Sequence, residues 1–109
     1  MTPAEAAVAV AVGDLVSREL DEDYVGLWVV PWHIRSRLRS AEDELVREVA
    51  QAVLVGLSYS AVRVGTLNED SGMFTPWAAM DGVERAIRGW RELGRDPTIG
   101  EVAWLARER

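Results

Sequence analysis

An α+β fold that is mainly α is predicted by three features of this 109-residue chain. Three segments of the first half carry apolar residues at helical spacing, the clearest being Val8, Val12, Val16, Leu20 and Val46, Val49, Val53, Leu57. One segment, Ala61 to Thr66, alternates as a strand does. It is followed by turn residues from Asn68 to Gly72 and a short return through Met73-Phe74-Thr75. The last third goes back to helical spacing.

The first helix starts at Thr2-Pro3-Ala4-Glu5. Threonine caps, proline suits the first helical position, and Glu5 stands where a capping box needs it. Gly13 weakens this helix by ~1 kcal/mol relative to alanine. The Ala-Val alternation of residues 7–12 also suits a strand, but the cap and the later spacing favour helix. Asp21-Glu22-Asp23 form a turn whose charge favours the positive end of a following helix. That helix takes in Tyr24 to Leu38, with Pro31 inside it. Proline removes a backbone hydrogen bond and clashes with the preceding turn, so a kink or break near Val30 is expected. The β-rich run Leu27–Val30 leaves a strand as the alternative.

Ser40 is placed to cap the third helix, and Glu42, Asp43 and Glu44 fall in its first turn, where the helix dipole favours acids. Val46, Val49, Val53, Leu54 and Leu57 make its buried stripe, with Arg47, Glu48 and Gln51 outside. In the hairpin that follows, Pro76 must end the second strand or lie on an edge. Asp81 to Glu84 start another helix with Val83, Ala86, Ile87, Trp90 and Leu93 on one face, and Gly94 closes it. Thr98 and Glu101 form a further capping box, which predicts a short last helix. Val102–Leu105 is brief enough that a strand is the alternative.

Helix, helix, long helix, strand, turn and strand is the order of a winged helix. The expected organisation is one domain: residues 1–57 as a three-helix bundle, 58–77 as a β-hairpin, and 78–109 as one or two helices covering the hairpin. Phe74-x-Pro76-Trp77 and the tail Gly94-Arg95-Asp96-Pro97-Thr98-Ile99-Gly100-Glu101-Val102-Ala103-Trp104 resemble a group of short uncharacterised bacterial proteins. The likeness runs from about Tyr24 to Trp104. It implies a small protein complete in itself and no particular activity or catalytic residue.

Composition limits the function. Nearly half the residues (49%) are hydrophobic and 28% are charged, as in ordinary globular domains. Without cysteine there is no disulfide, no thiolate zinc site and no cysteine nucleophile. No stretch approaches the ~20 apolar residues of a membrane span. The N-terminus lacks a basic leader pattern and carries Glu5 and Asp14, so a cytoplasmic protein is expected. The net charge is −6, and residues 1–54 hold ten acids against five arginines. Such a chain repels phosphate. On a winged helix the third helix would enter the major groove, yet Glu42, Asp43, Glu44, Glu48, Glu69 and Asp70 face only Arg47 across that helix and the turn. Nucleic acid is therefore an unlikely partner.

The candidates that remain point to a protein partner. Arg35, Arg37 and Arg39 form the one locally basic run. They either favour the dipole of their helix and pair with Glu42 or Asp43, or anchor an acidic partner. Arg85, Arg88, Arg91 and Arg95 alternate with Glu84 and Glu92 as an exposed salt-bridged face does. His33 stands alone, and neither acidic cluster has calcium-loop spacing. Ser58 and Ser60 lack an evident base, so no catalytic, metal or cofactor site is expected. Most of the five tryptophans are expected in the core. Trp77, after Pro76, is the best placed of them to be exposed; it is either buried like the rest or, exposed beside Arg63, a binding anchor. The resulting expectation is a non-enzymatic interaction module or homodimer. The rival is a DNA-binding regulator using Arg35, Arg37, Arg39 and Arg63.

Overall fold

The computed structural model describes residues 1–108, apart from the side chains at positions 79 and 80. The chain runs α1 (Pro3–Leu20), β1 (Val25–Gly26), α2 (Val29–Arg37), α3 (Asp43–Ser58), β2 (Val62–Leu67), β3 (Phe74–Pro76), α4 (Ala79–Leu93) and β4 (Trp104–Arg107). This is the α+β, mainly α class that the periodicities predict.

α1 opens on the capping box. The Glu5 N–H donates to Thr2 Oγ1 (3.2 Å) and the Thr2 N–H to Glu5 Oε1 (2.9 Å). Val12, Val16 and Leu20 are buried along one side. The single helix expected over Tyr24–Leu38 is instead a two-residue strand followed by α2. Its start at Val29 puts Pro31 in the first turn, where a backbone N–H has no partner to lose, so the kink or break expected near Val30 takes the form of a break just before Val29.

α3 begins later than Ser40 suggests. Glu42 is the residue at its N-cap and makes no side-chain cap bond; Ser40 lies in the preceding turn. α4 likewise has Ala78, not Asp81, at its N-cap, and Asp81 falls in the first turn. Gly94 closes α4 at φ 76°. The turn between β2 and β3 is built by Asn68, whose side-chain oxygen accepts from the N–H groups of Asp70 and Ser71, both at 3.0 Å. Pro76 ends the edge strand β3.

The expected last helix does not form. Thr98 and Glu101 do interact as a capping box would: the Thr98 N–H (2.8 Å) and hydroxyl (2.7 Å) both donate to Glu101 Oε1. The chain then leaves helical space at Gly100 (φ 82°) and Val102 (φ 68°). The Ala103 N–H donates to the Glu101 carbonyl at 2.8 Å, closing a γ-turn about Val102. Beyond it β4 pairs antiparallel with β1 on one side and β2 on the other, in the order β1-β4-β2-β3. Two strand edges that would otherwise be open outweigh the local helix signal.

The core lies between α1, α2 and α3 and extends under the sheet to α4. It is aliphatic, with Val16, Leu20, Ile34, Val49, Leu54 and Leu105 among its most buried members. Among the described residues, Trp90 is the one aromatic buried in it.

Candidate functional site

One face of the sheet packs on the core through Val25, Leu105 and Val64, which stand opposite one another across three strands. The next position in register is Gly26, Trp104, Gly65 and Pro76. Strand side chains alternate, so these residues belong to the opposite, outer face. Each glycine leaves room for a ring. A Cβ on Gly26 would stand 2.7 Å from Trp28 Cδ1 and 3.6 Å from Trp104 Cζ3, so these two indoles meet over it. A Cβ on Gly65 would stand 2.8 Å from the Phe74 ring and overlap the Thr75 carbonyl. Tyr24 stacks on Phe74 with ring centres 5.8 Å apart. The result is an aromatic band: Tyr24, Phe74, Trp104 and Trp28. Tyr24 is exposed and the others are half-buried.

Trp28 continues the band into a groove of about 520 Å³ between α2 and the 94–101 loop. Pro31, Trp32, Pro97 and Ile99 line that groove. Trp32 is 63% exposed and Ile99 is 73% exposed. The loop that carries Ile99 is held from both ends. Arg35 donates from Nε to Asp96 Oδ2 (2.6 Å) and from Nη2 to Asp96 Oδ1 (3.1 Å), and also to Asp43 Oδ1 (2.9 Å). Arg95 forks onto Glu101 at 2.7 and 2.9 Å. Both are planar two-point pairs, the strongest kind of ionic hydrogen bond. Asp96, and then Asp43, hold the Arg35 guanidinium charged well above its ordinary range. Arg95, with Thr98, draws the Glu101 carboxyl down to about 2.

The arginines and tryptophan singled out in the sequence are not brought together as a binding patch. Arg35 is half-buried and taken up by Asp96 and Asp43. α2 ends at Arg37, so Arg39 lies in the following turn and does not continue a helical face with Arg35. Arg37 and Arg39 are exposed. Arg63 reaches Glu108 (3.4 Å) and donates to the Trp77 carbonyl (2.5 Å). Trp77 is not the exposed tryptophan. It is half-buried, its indole N–H donates to Thr66 Oγ1 (3.0 Å), and Arg85 lies 4.0 Å over its ring. The exposed one is Trp32, on α2. The clue available was the proline beside it: a first-turn Pro31 fixes the start of α2.

No family model, curated protein or solved structure matches this chain.

The acids of α3 are where the sequence put them. Glu42, Asp43, Glu44 and Glu48 are exposed, and so are Glu69 and Asp70 on the hairpin turn. Glu44 is shared by Arg47 (2.7 Å) and Arg91 (2.9 Å), which hold its carboxyl below the usual range. A second depression, of about 380 Å³, runs between α1 and α3 past Ala6, Val10, Gly13, Ala52 and Gly56. Small residues make up half or more of its walls, beside Met1, Val53 and Leu57. Among the described residues no three His, Asp or Glu side chains stand close enough to hold a metal. The His33 ring lies 3.4 Å from Glu19, and the Ser58 hydroxyl donates to the Val55 carbonyl of its own helix. No helix of the described residues is long and apolar enough to cross a membrane.

Proposed function

We propose that this protein is a non-enzymatic protein–protein interaction module on an acidic, winged-helix-like scaffold in the cytoplasm. It meets its partner through the aromatic band and the Trp32–Ile99 groove. The observation that carries this reading is the exposure of Trp32, on α2, and Ile99, on a loop fixed by two arginine forks, along the same groove. Large apolar groups held rigid at the surface lose little entropy on binding, which is how interface anchors work. Continuous exposed apolar surface of this kind marks contact sites on soluble domains.

Duplex binding is the weaker reading. Of the four arginines it would use, Arg35 and Arg63 already face carboxylates, and the exposed side of α3 is acidic. The two readings separate in one comparison. Wild type and a Trp32→Ser, Ile99→Ser double variant are used side by side as baits in extract of the native cell and on a duplex-DNA column. The interaction reading expects partners held by wild type and lost by the variant, and no retention on DNA at low salt. Retention on DNA that fades with salt and survives the double substitution would instead establish the regulator.

A further inference from the structure

We infer that the aromatic band takes an arginine-bearing segment of a partner protein, a choice that rests on the interaction reading above. Four arginines near the band are neutralised within the molecule: Arg35 by Asp96 and Asp43, Arg95 by Glu101, Arg63 by Glu108, and Arg107 by Asp21 at 3.0 Å. Arg37, whose guanidinium reaches the groove-lining Ser36 at 3.4 Å, pairs with no carboxylate among the described residues. The acids at the band's margins are not neutralised in this way. Glu22 and Asp23 are exposed and border one depression with Tyr24, at one end of the band; Arg107 lines it too, paired with Asp21. Glu69 reaches across from the hairpin turn. Its Oε1 lies 3.1 Å from where a Cβ on Gly100 would be, next to Ile99. Asp70 is exposed beside it. Among the described residues no arginine stands within ion-pair distance of these four carboxylates. The apolar strip therefore runs between two negative margins, whose four unpaired carboxylates outweigh the unpaired Arg37 beside the groove.

Its rings supply the second half. Within the molecule a guanidinium already sits on the face of Trp77, yet the band's own tryptophans carry no such cation among the described residues. An indole face attracts a cation, and a guanidinium suits it better than an ammonium because it is flat, weakly hydrated and can fork onto a carboxylate at the same time. A segment that places arginine over Trp28, Trp32 or Trp104, with its second contact to Glu22, Asp23 or Glu69, satisfies both features. Its apolar residues fill the groove between Pro31 and Pro97.

The test uses the full chain and three short peptides alike in length, in which leucine and proline alternate with arginine, with lysine or with glutamine. Binding is followed by the indole N–H resonances in NMR. The arginine peptide is expected to move Trp28, Trp32 and Trp104 and to leave buried Trp90 in place. Its affinity is expected to fall with salt, about tenfold or more on Trp32→Ala, and severalfold on Glu69→Gln. The lysine peptide is expected to bind more weakly. Equal binding of the glutamine peptide at the same resonances would sink the choice of arginine and leave the band standing as an interface. Arginine binding that ignores Trp32→Ala, or that moves only signals of α3, would remove the band from both readings. No binding of the arginine peptide at low salt also overturns the inference, and the bait comparison above then judges the interaction reading by itself.

Discussion

The interior and the outer sheet face of this protein are both apolar, but they are made of different residues. The interior is valine, leucine, isoleucine and alanine, with Trp90 as its one aromatic among the described residues. The outer face is tryptophan, tyrosine and phenylalanine, with glycines between them. Branched aliphatic side chains fill an enclosed space with few voids and hide completely. Rings laid over glycines cover a surface and stay in part open to water. The contrast separates apolar residues needed for folding from those left for contact. It also explains how five tryptophans fit in so short a chain without an aromatic core.

Trp90 should break that contrast most forcefully if it is wrong. Its ring is fully buried, and its indole N–H has no hydrogen-bond partner. Trp90→Ala is expected to lower stability by ~3–5 kcal/mol. Trp90→Phe should cost much less, because it removes an unpaired polar group along with part of the ring. Chemical denaturation checks both, and equal losses would mean that the N–H is satisfied. On the outer face the sensitive position is a glycine. Gly65→Ala drives a methyl group into the Phe74 ring and the Thr75 carbonyl, at an expected cost of ~1–3 kcal/mol. A harmless Gly65→Ala would show that the β2–β3 pair gives way easily.

Much of this architecture was legible in the chain. The Thr2 capping box, the stripe of α3, the Asn68 turn and the Gly94 stop are local signals, complete within a few residues, and each gives the element found. The errors share one cause. Thr98 and Glu101 make a correct local bond, but the fate of the next residues is set by β1 and β2, far off in sequence. Pro31 was visible, while the helix start that makes it harmless depends on β1 pairing with β4. The candidate site was lost for the same reason. The band joins residues 24, 28, 74 and 104, and no spacing reveals that Gly26 and Gly65 flank Trp104. Trp77 looked exposed because Arg85, which covers it, lies on α4.

Gly13 sharpens the comparison from the helical side. It sits inside α1, and a Cβ there would touch nothing within 4 Å. The same is true of Gly56, across the α1–α3 depression. Gly13→Ala should therefore stabilise the isolated chain by ~0.5–1 kcal/mol, through helix propensity alone. If a second copy of the chain packs into this depression, the added methyl group obstructs it. Analytical ultracentrifugation of wild type and Gly13→Ala decides the matter: the homodimer reading needs a wild-type dimer that weakens on substitution. A wild-type monomer at high concentration counts against it and leaves the outer sheet face as the contact surface.

Smaller effects belong to the loop that presents Ile99. Glu101 titrates near 2 in the folded protein, against an ordinary value of 4.5. A carboxylate whose folded value is depressed adds stability above its unfolded value and loses it as pH falls towards the folded one. The wild-type advantage in Tm over Glu101→Gln should thus be full above pH about 4.5 and close as pH falls to about 2. A gap that stays constant across that window would mean that the Arg95 fork does not hold the loop. Trp32→Ala should move stability least of all, within about 0.5 kcal/mol, since the ring is mostly in water and its removal leaves no cavity. That small number distinguishes the two regions most sharply. Trp90 and Trp32 are the same residue type on two helices of one domain, and only for Trp32 should loss of partner binding come without loss of fold. A large drop in Tm on Trp32→Ala would make the exposed indole a structural support and remove the main reason to regard this face as a docking surface.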